Sequence, residues 1–254
     1  MTTHNKLKTL NHGITAAYYC SYIDCLVAMT ASHSISDHAK PADADMRRGF
    51  GPRVRKLHSR IGKAHHKAEG MTFSRALLAG DASPRQLAAL MRALAPAYAF
   101  LEQEAPDLAF SLGSDSIPWQ DLARTTALRH DLAILAGVAA TPVSAAAAIW
   151  MKQLQQQARQ APHRLMAHVY VRYGGDLSGG QQLAAQANAI LHKAGLPALS
   201  FWSFTAPITE LKLALHDGFE ELELSAAEEE ELLDEAVQAF HATQRLLAEL
   251  AQLD

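Results

Sequence analysis

From residue 53 onward, apolar positions recur every three or four residues, and alternating or β-branched runs are nearly absent. This periodicity predicts helices over 53–68, 71–79, 83–104 and 119–137, then one opened by Thr141-Pro142 and running through VSAAAAIWMKQLQQQA. Pro162 opens the next, which reaches Gly195–Pro197, and 207–222 and 225–253 complete the set. Ser83 is a natural N-cap with Pro84 at the first helical position, and Pro106 marks the expected end of the third helix near Glu104. The predicted class is all-α, a single-domain bundle of seven to eight helices.

The helix opened by Pro162 departs from this regular pattern. LMAHVYVRY carries an ordinary amphipathic repeat, and then Gly174, Gly175, Gly179 and Gly180 arrive within seven positions. Each interior glycine costs about 1 kcal/mol relative to alanine, so the sequence tolerates roughly 4 kcal/mol in one element. A bend is expected there. Two uses of the missing side chains fit the spacing. Small residues four apart allow another helix to pack closely, and a bare backbone allows a flat ligand to lie on it, edged by Asp176 and Ser178.

Residues 1–50 follow a different pattern. Basic residues precede an apolar stretch and then small residues, the order of a signal peptide, but Asp24 interrupts the apolar part and Asn11, His12 and Gly13 sit where it should begin. The segment therefore reads as a polar, poorly ordered N-terminal extension, with Met46 an alternative start and the helical domain spanning 51–254. No later run approaches the ~20 apolar residues of a transmembrane helix, so no membrane anchor and a cytoplasmic location are expected. A net charge of −3 gives no footprint for nucleic acid. Cys20 and Cys25 both fall in the extension, so no cysteine-based metal site or nucleophile is expected in the helical domain.

Thirteen histidines leave the choice of a metal ligand open on composition alone. Two stand out by neighbourhood, His65 and His66: Glu69 lies four residues after His65 on the same helix face, where a carboxylate can accept the second ring N–H and fix the tautomer. His66 points about 100° away.

The run AHVYVRYGGDLSGGQ, Ala167 to Gln181, resembles the distal-helix signature of haem oxygenases, with Gly174 standing where that family usually has leucine. AHHKAEG resembles the family's proximal stretch, AYAFLEQE at 97–104 its tyrosine-plus-acidic helix, and ALRHDLAIL at 127–135 a segment of bacterial members. LSFWSFTAPITELKLALHDGFEELELS at 199–225 resembles the family's aromatic-rich loop and the helix beyond it. The similarity runs in the same order from about 55 to 252. It implies haem sandwiched between a proximal and a glycine-kinked distal helix. His65 would be the iron ligand with Glu69 behind it. Gly175, Ser178, Gly179 and Gly180 would line the distal face beside Tyr170, and Lys212, His216 and His58 would meet the propionates. Asp176, with Tyr98, Arg172 and Tyr170, would hold the water that delivers protons.

The implied activity is oxidative opening of haem to biliverdin, CO and Fe²⁺, with haem serving as substrate and oxygen-activating group. No dinucleotide fingerprint is visible, so an external electron donor is expected, a separate reductase of ferredoxin or flavoprotein type working with O₂. A non-catalytic haem carrier or sensor on the same fold would need His65 but not Asp176. A thiaminase-type enzyme would need a cysteine in the helical domain, and a di-iron protein would need paired Glu-x-x-His ligands inside the bundle. The acidic run Glu228–Glu231 reads as a solvated helix start.

Overall fold

The computed structural model describes residues 50–253. The expectation for residues 1–50, like both cysteines, lies almost wholly outside them. The described chain is helical, with α1 (Pro52–Glu69), α2 (Thr72–Ala79), α3 (Pro84–Ser111), α4 (Trp119–Leu122), α5 (Thr125–Ile134), α6 (Ala145–Gln160), α7 (Leu165–Leu177), α8 (Gly180–Lys193), α9 (Ile208–Glu221) and α10 (Ala226–Leu250). No strand occurs among the described residues, and no helix there is long and apolar enough to cross a membrane.

The hydrophobic stripes meet around α10, which packs on α1, α6 and α7, while α9 packs on both α1 and α7. Val54, Leu57 and Ile61 of α1 and Leu232, Leu246 and Leu250 of α10 are buried in the shared core. Helix ends are satisfied across this core rather than locally. Gly51 offers α1 no side-chain cap, and the Glu220 carboxylate of α9 accepts from the backbone N–H groups of Arg53 and Val54 at 3.1 and 2.7 Å instead. Such a cap also places a negative charge at the positive end of the helix and locks α1 against α9. Gln244 of α10 donates to the Ala64 carbonyl at 2.9 Å, a second polar tie onto α1.

Three elements differ from their predicted extent, each for a tertiary reason. Helix α3 continues through Pro96 and Pro106 to Ser111. Each proline removes a backbone bond, at about 3 kcal/mol, but Tyr98, Leu101, Ala105 and Ala109 bury one continuous face across both. The predicted helix over 119–137 is split at Ala123–Arg124. There the Glu102 carboxylate accepts the N–H groups of Arg124 and Thr125 at 2.6 and 3.0 Å and starts a new helix. Helix α6 begins after Ser144 rather than at Thr141-Pro142, because Ser144 accepts from Ala147 N and Glu249 takes the N–H of Ala146.

Candidate functional site

The glycine run bends the chain later than its first glycine. Gly174 and Gly175 sit inside regular α7, and the break falls at Ser178, with φ −104° and ψ −90°, before α8 restarts at Gly180. A Cβ added to Gly174, Gly175 or Gly179 would meet nothing within 4 Å, whereas one on Gly180 would meet the Trp202 ring at 2.7 Å. Close packing therefore accounts for Gly180 alone. The other three leave a bare ledge facing open space, as a flat ligand requires. Gly179→Leu is expected to keep the fold, since its side chain has room, and to abolish binding of any ligand lying on the ledge. Thermal melting and a hemin titration on the same protein check both halves.

Beside the ledge, Asp176 is 2% exposed. Tyr98 donates its hydroxyl to the Asp176 carboxylate in a short hydrogen bond, and the Arg172 guanidinium lies 3.7 Å away. Arg172 also donates to the Tyr98 oxygen at 3.2 Å and to Thr243 at 3.5 Å, so three helices hold one carboxylate. Burial pushes Asp176 up to about 6, opposed by Arg172, Tyr98, Arg124 and Trp202. Burial also raises Tyr98 well above its usual value, so the phenol keeps its proton, donating it to Asp176 while its oxygen accepts from Arg172. The result is a carboxyl group that titrates near neutrality at the edge of an open ledge, suited to holding and passing protons through water.

The second group centres on His65 of α1. Its side chain is 21% exposed against 75% for His66, and its Nδ1 is 3.6 Å from the Glu69 carboxylate while that of His66 is 3.9 Å away. Burial lowers its pKa against the pull of Glu69, which keeps the ring neutral, the form a metal ligand needs. The Phe240 ring packs edge-on to it. Helices α1 and α7 meet where the His58 and Tyr170 rings approach to 6.0 Å. His65 lies two turns beyond His58 on the same face of α1, and Gly174 one turn beyond Tyr170 on the same face of α7. The imidazole and the start of the ledge thus lie on the helix faces that carry the His58–Tyr170 contact. A neutral imidazole on one wall and bare backbone on the other fit a flat, metal-bearing ring.

A third group gathers His58, His216, Lys212 and Tyr170. The His58 and His216 rings are 6.3 Å apart, and Tyr170 packs against His216 and Phe219 at 6.2 and 5.1 Å. Burial pushes both histidines down to about 4, with Lys212 adding to it, and Lys212 is itself lowered by burial. The Tyr170 ring packs within this group. His168, inside the glycine-run motif, serves the core. It accepts from Trp150 Nε1 at 3.1 Å and donates through Nε2 to Glu235 at 3.1 Å.

Several residues at the site escaped the sequence pattern. Asp131 accepts from Ser200 N, Ser200 Oγ and Phe201 N at 2.8, 2.7 and 2.8 Å. Arg124 donates to the Phe201 and Ser203 carbonyls at 3.1 and 2.6 Å and stacks over Phe204. Together they hold the aromatic loop 199–204, whose Trp202 ring packs on Gly180. Ordinary buried ion positions give no periodic signal, and only the resemblance around 127–135 pointed toward Asp131. No set of three His, Cys, Asp or Glu side chains suited to a metal ion occurs among the described residues, so the paired ligands of a di-iron centre are absent there.

A family model described as Heme oxygenase matches residues 54–249. Heme oxygenase 1 of Homo sapiens is 31% identical over 201 residues, covering 75% of this chain and 69% of the relative. Heme oxygenase 1 of Synechocystis sp. is 30% identical over 195 residues, covering 74% of this chain and 80% of the relative. The crystal structure of heme oxygenase-1 from Synechocystis sp. PCC6803 in complex with heme superposes with a TM-score of 0.71 at 27% identity, covering 79% of this chain and 92% of that one.

Proposed function

This chain belongs to the haem oxygenase family, and from that premise we propose that it opens haem oxidatively to biliverdin, CO and Fe²⁺. The observation that carries the reading is Asp176, buried yet titrating near neutrality, fixed by Tyr98 and Arg172 beside the bare ledge of Gly174, Gly175 and Gly179. Haem supplies the iron at which O₂ is activated. The chain supplies everything that directs that chemistry.

His65 would hold the iron through Nε2, with Glu69 facing Nδ1 and orienting the ring. Gly175 within the helix and Gly179 at the bend would let the ring lie against bare backbone and would crowd oxygen bound on that face. Asp176 holds water at that face, and Tyr98 and Arg172 keep its carboxylate aimed there. A carboxylate acting through water delivers protons more slowly than a distal histidine would, which favours attack on the ring over scission of oxygen. Lys212, with His58 and His216, meets the propionates at the opposite edge. The aromatic loop and Trp202 exclude bulk water behind the ledge.

Electrons come from a separate reductase of ferredoxin or flavoprotein type, and the work is cytoplasmic, where such donors are reduced. A carrier would need the His65 wall but not a titrating carboxyl at the ledge. Hemin titration followed by reductant in air decides between them. The expected result is a Soret band that gives way to biliverdin absorption. A Soret band that persists unchanged through reduction and aeration would leave the carrier.

The catalytic unit is proposed to begin at Met46. A chain starting there is expected to keep the helical content, hemin affinity and turnover of the full chain, because the family match and the described core both lie after it. Loss of folding in that chain would assign Tyr18, Tyr19, Ile23 and Leu26 a place in the core.

A further inference from the structure

Trp202 sits at the bend between α7 and α8. It is 4% exposed, and its ring edge is so close to Gly180 that an added Cβ there would meet Cδ1 at 2.7 Å and Nε1 at 3.2 Å. Gln181 ties its backbone to the same turn, donating to the Trp202 carbonyl at 2.9 Å and to the Asp176 carbonyl at 3.5 Å. Asp131 and Arg124 hold the loop on either side of it. The indole edge that carries the N–H is therefore fixed over Gly180, four residues along the chain from Asp176, by contacts from three separate segments: 180–181, Arg124 and Asp131. An indole offers a donor and no acceptor, and a carboxylate accepts at up to four positions, of which Tyr98 takes one.

We propose that Trp202 is a positioning residue for the reaction, its indole N–H donating to the Asp176 carboxylate and, with Tyr98, holding that group in its anionic, water-binding form. The inference rests on the role given above to Asp176. The groups facing that carboxylate are Arg172 from its own helix, Tyr98 from α3 and Arg124 from the link before α5, with Tyr173 and Glu102 behind Tyr98. Among them the Trp202 side chain acts in the direction of a donor, lowering the Asp176 pKa against burial. A phenylalanine at this position would fill the same space over Gly180 and supply no proton donor. The choice of tryptophan is what makes the loop part of the proton machinery rather than a hydrophobic wall alone.

The test uses the full chain labelled with ¹⁵N in its three tryptophans, Trp119, Trp150 and Trp202. Trp202→Phe assigns the Trp202 indole resonance by its disappearance. In the unsubstituted chain that resonance is expected to move downfield as pH rises through about 6, the value at which Asp176 ionises. In Asp176→Asn the movement should vanish while the other two indoles keep their positions. Independently, Trp202→Phe should shift the acid limb of the biliverdin-forming rate upward by about one pH unit, as losing one hydrogen bond to a charged group does. Hemin affinity should change less than threefold. An indole that does not titrate, or titrates equally in Asp176→Asn, overturns the proposal, as does an acid limb that stays where it was. Failure of the unsubstituted chain to form biliverdin would instead overturn the enzymatic reading and leave the indole titration as a separate result.

Discussion

His65→Ala is expected to lose turnover by more than the ~10–100-fold typical of an outer-shell partner, because it removes the ligand nitrogen itself. Free imidazole should restore part of the activity by entering the vacated space. His66→Ala should leave turnover within a factor of two, since that ring is 75% exposed and turned away from the face that meets α7. Glu69→Gln should fall between them, near ~10-fold, through loss of ring orientation. Steady-state biliverdin formation with and without imidazole checks all four. Activity abolished by His66→Ala but kept by His65→Ala would reassign the ligand. The prediction joins a local pattern to a tertiary fact: both histidines can reach Glu69, but only one is walled in by Phe240.

The second large effect is expected at Asp176. Asp176→Ala should leave hemin affinity nearly unchanged, since the carboxylate is proposed to hold water and not haem. Biliverdin yield should fall steeply, and hydrogen peroxide should elicit peroxidase-like oxidation of small phenols in the variant. Normal biliverdin yield would sink the proton-relay role. The same residue has a signature in stability. Its folded pKa, about 6, lies above the unfolded value, so the folded state binds the extra proton. The stability it contributes is present below about pH 4 and is lost as pH rises through about 6, on the order of 3 kcal/mol. Asp176→Asn cannot ionise. Its melting temperature relative to the unsubstituted chain should therefore rise between pH 4.5 and pH 7.5. A difference that stays flat over that range would mean the buried carboxyl does not titrate there.

The pairing of His65 with Glu69 was legible because its logic is local. His65 and Glu69 are four residues apart on one helix, and the periodicity of 53–68 places them on one face without any partner. The glycine run was equally visible, because four glycines inside a helical pattern are costly wherever they stand. Its use was not visible. Spacing alone favoured close packing over a bare ledge, and only the surroundings separated Gly180, which packs on Trp202, from the three glycines that face open space.

By itself, the sequence determined the all-α class and the order of its helices, since a 3.6-residue hydrophobic period sustained over some two hundred residues admits no sheet. It also determined which short runs carry the unusual residues. Tertiary structure decided what those residues do. Tyr98 and Asp176 are 78 positions apart, and no pattern along the chain brings them into one hydrogen bond. Glu102 ends one predicted helix and starts another from 22 positions away, and Glu220 caps α1 from 166. Helix α3 runs through two prolines because the burial it gains on both sides outweighs the bonds it loses. Local propensity is a matter of a few kcal/mol per element, and packing across the core is of the same size or larger. Wherever the two disagreed, the long-range contact prevailed, and it is burial among the packed helices that raises Asp176 to about 6 against the pull of Arg172 and Tyr98.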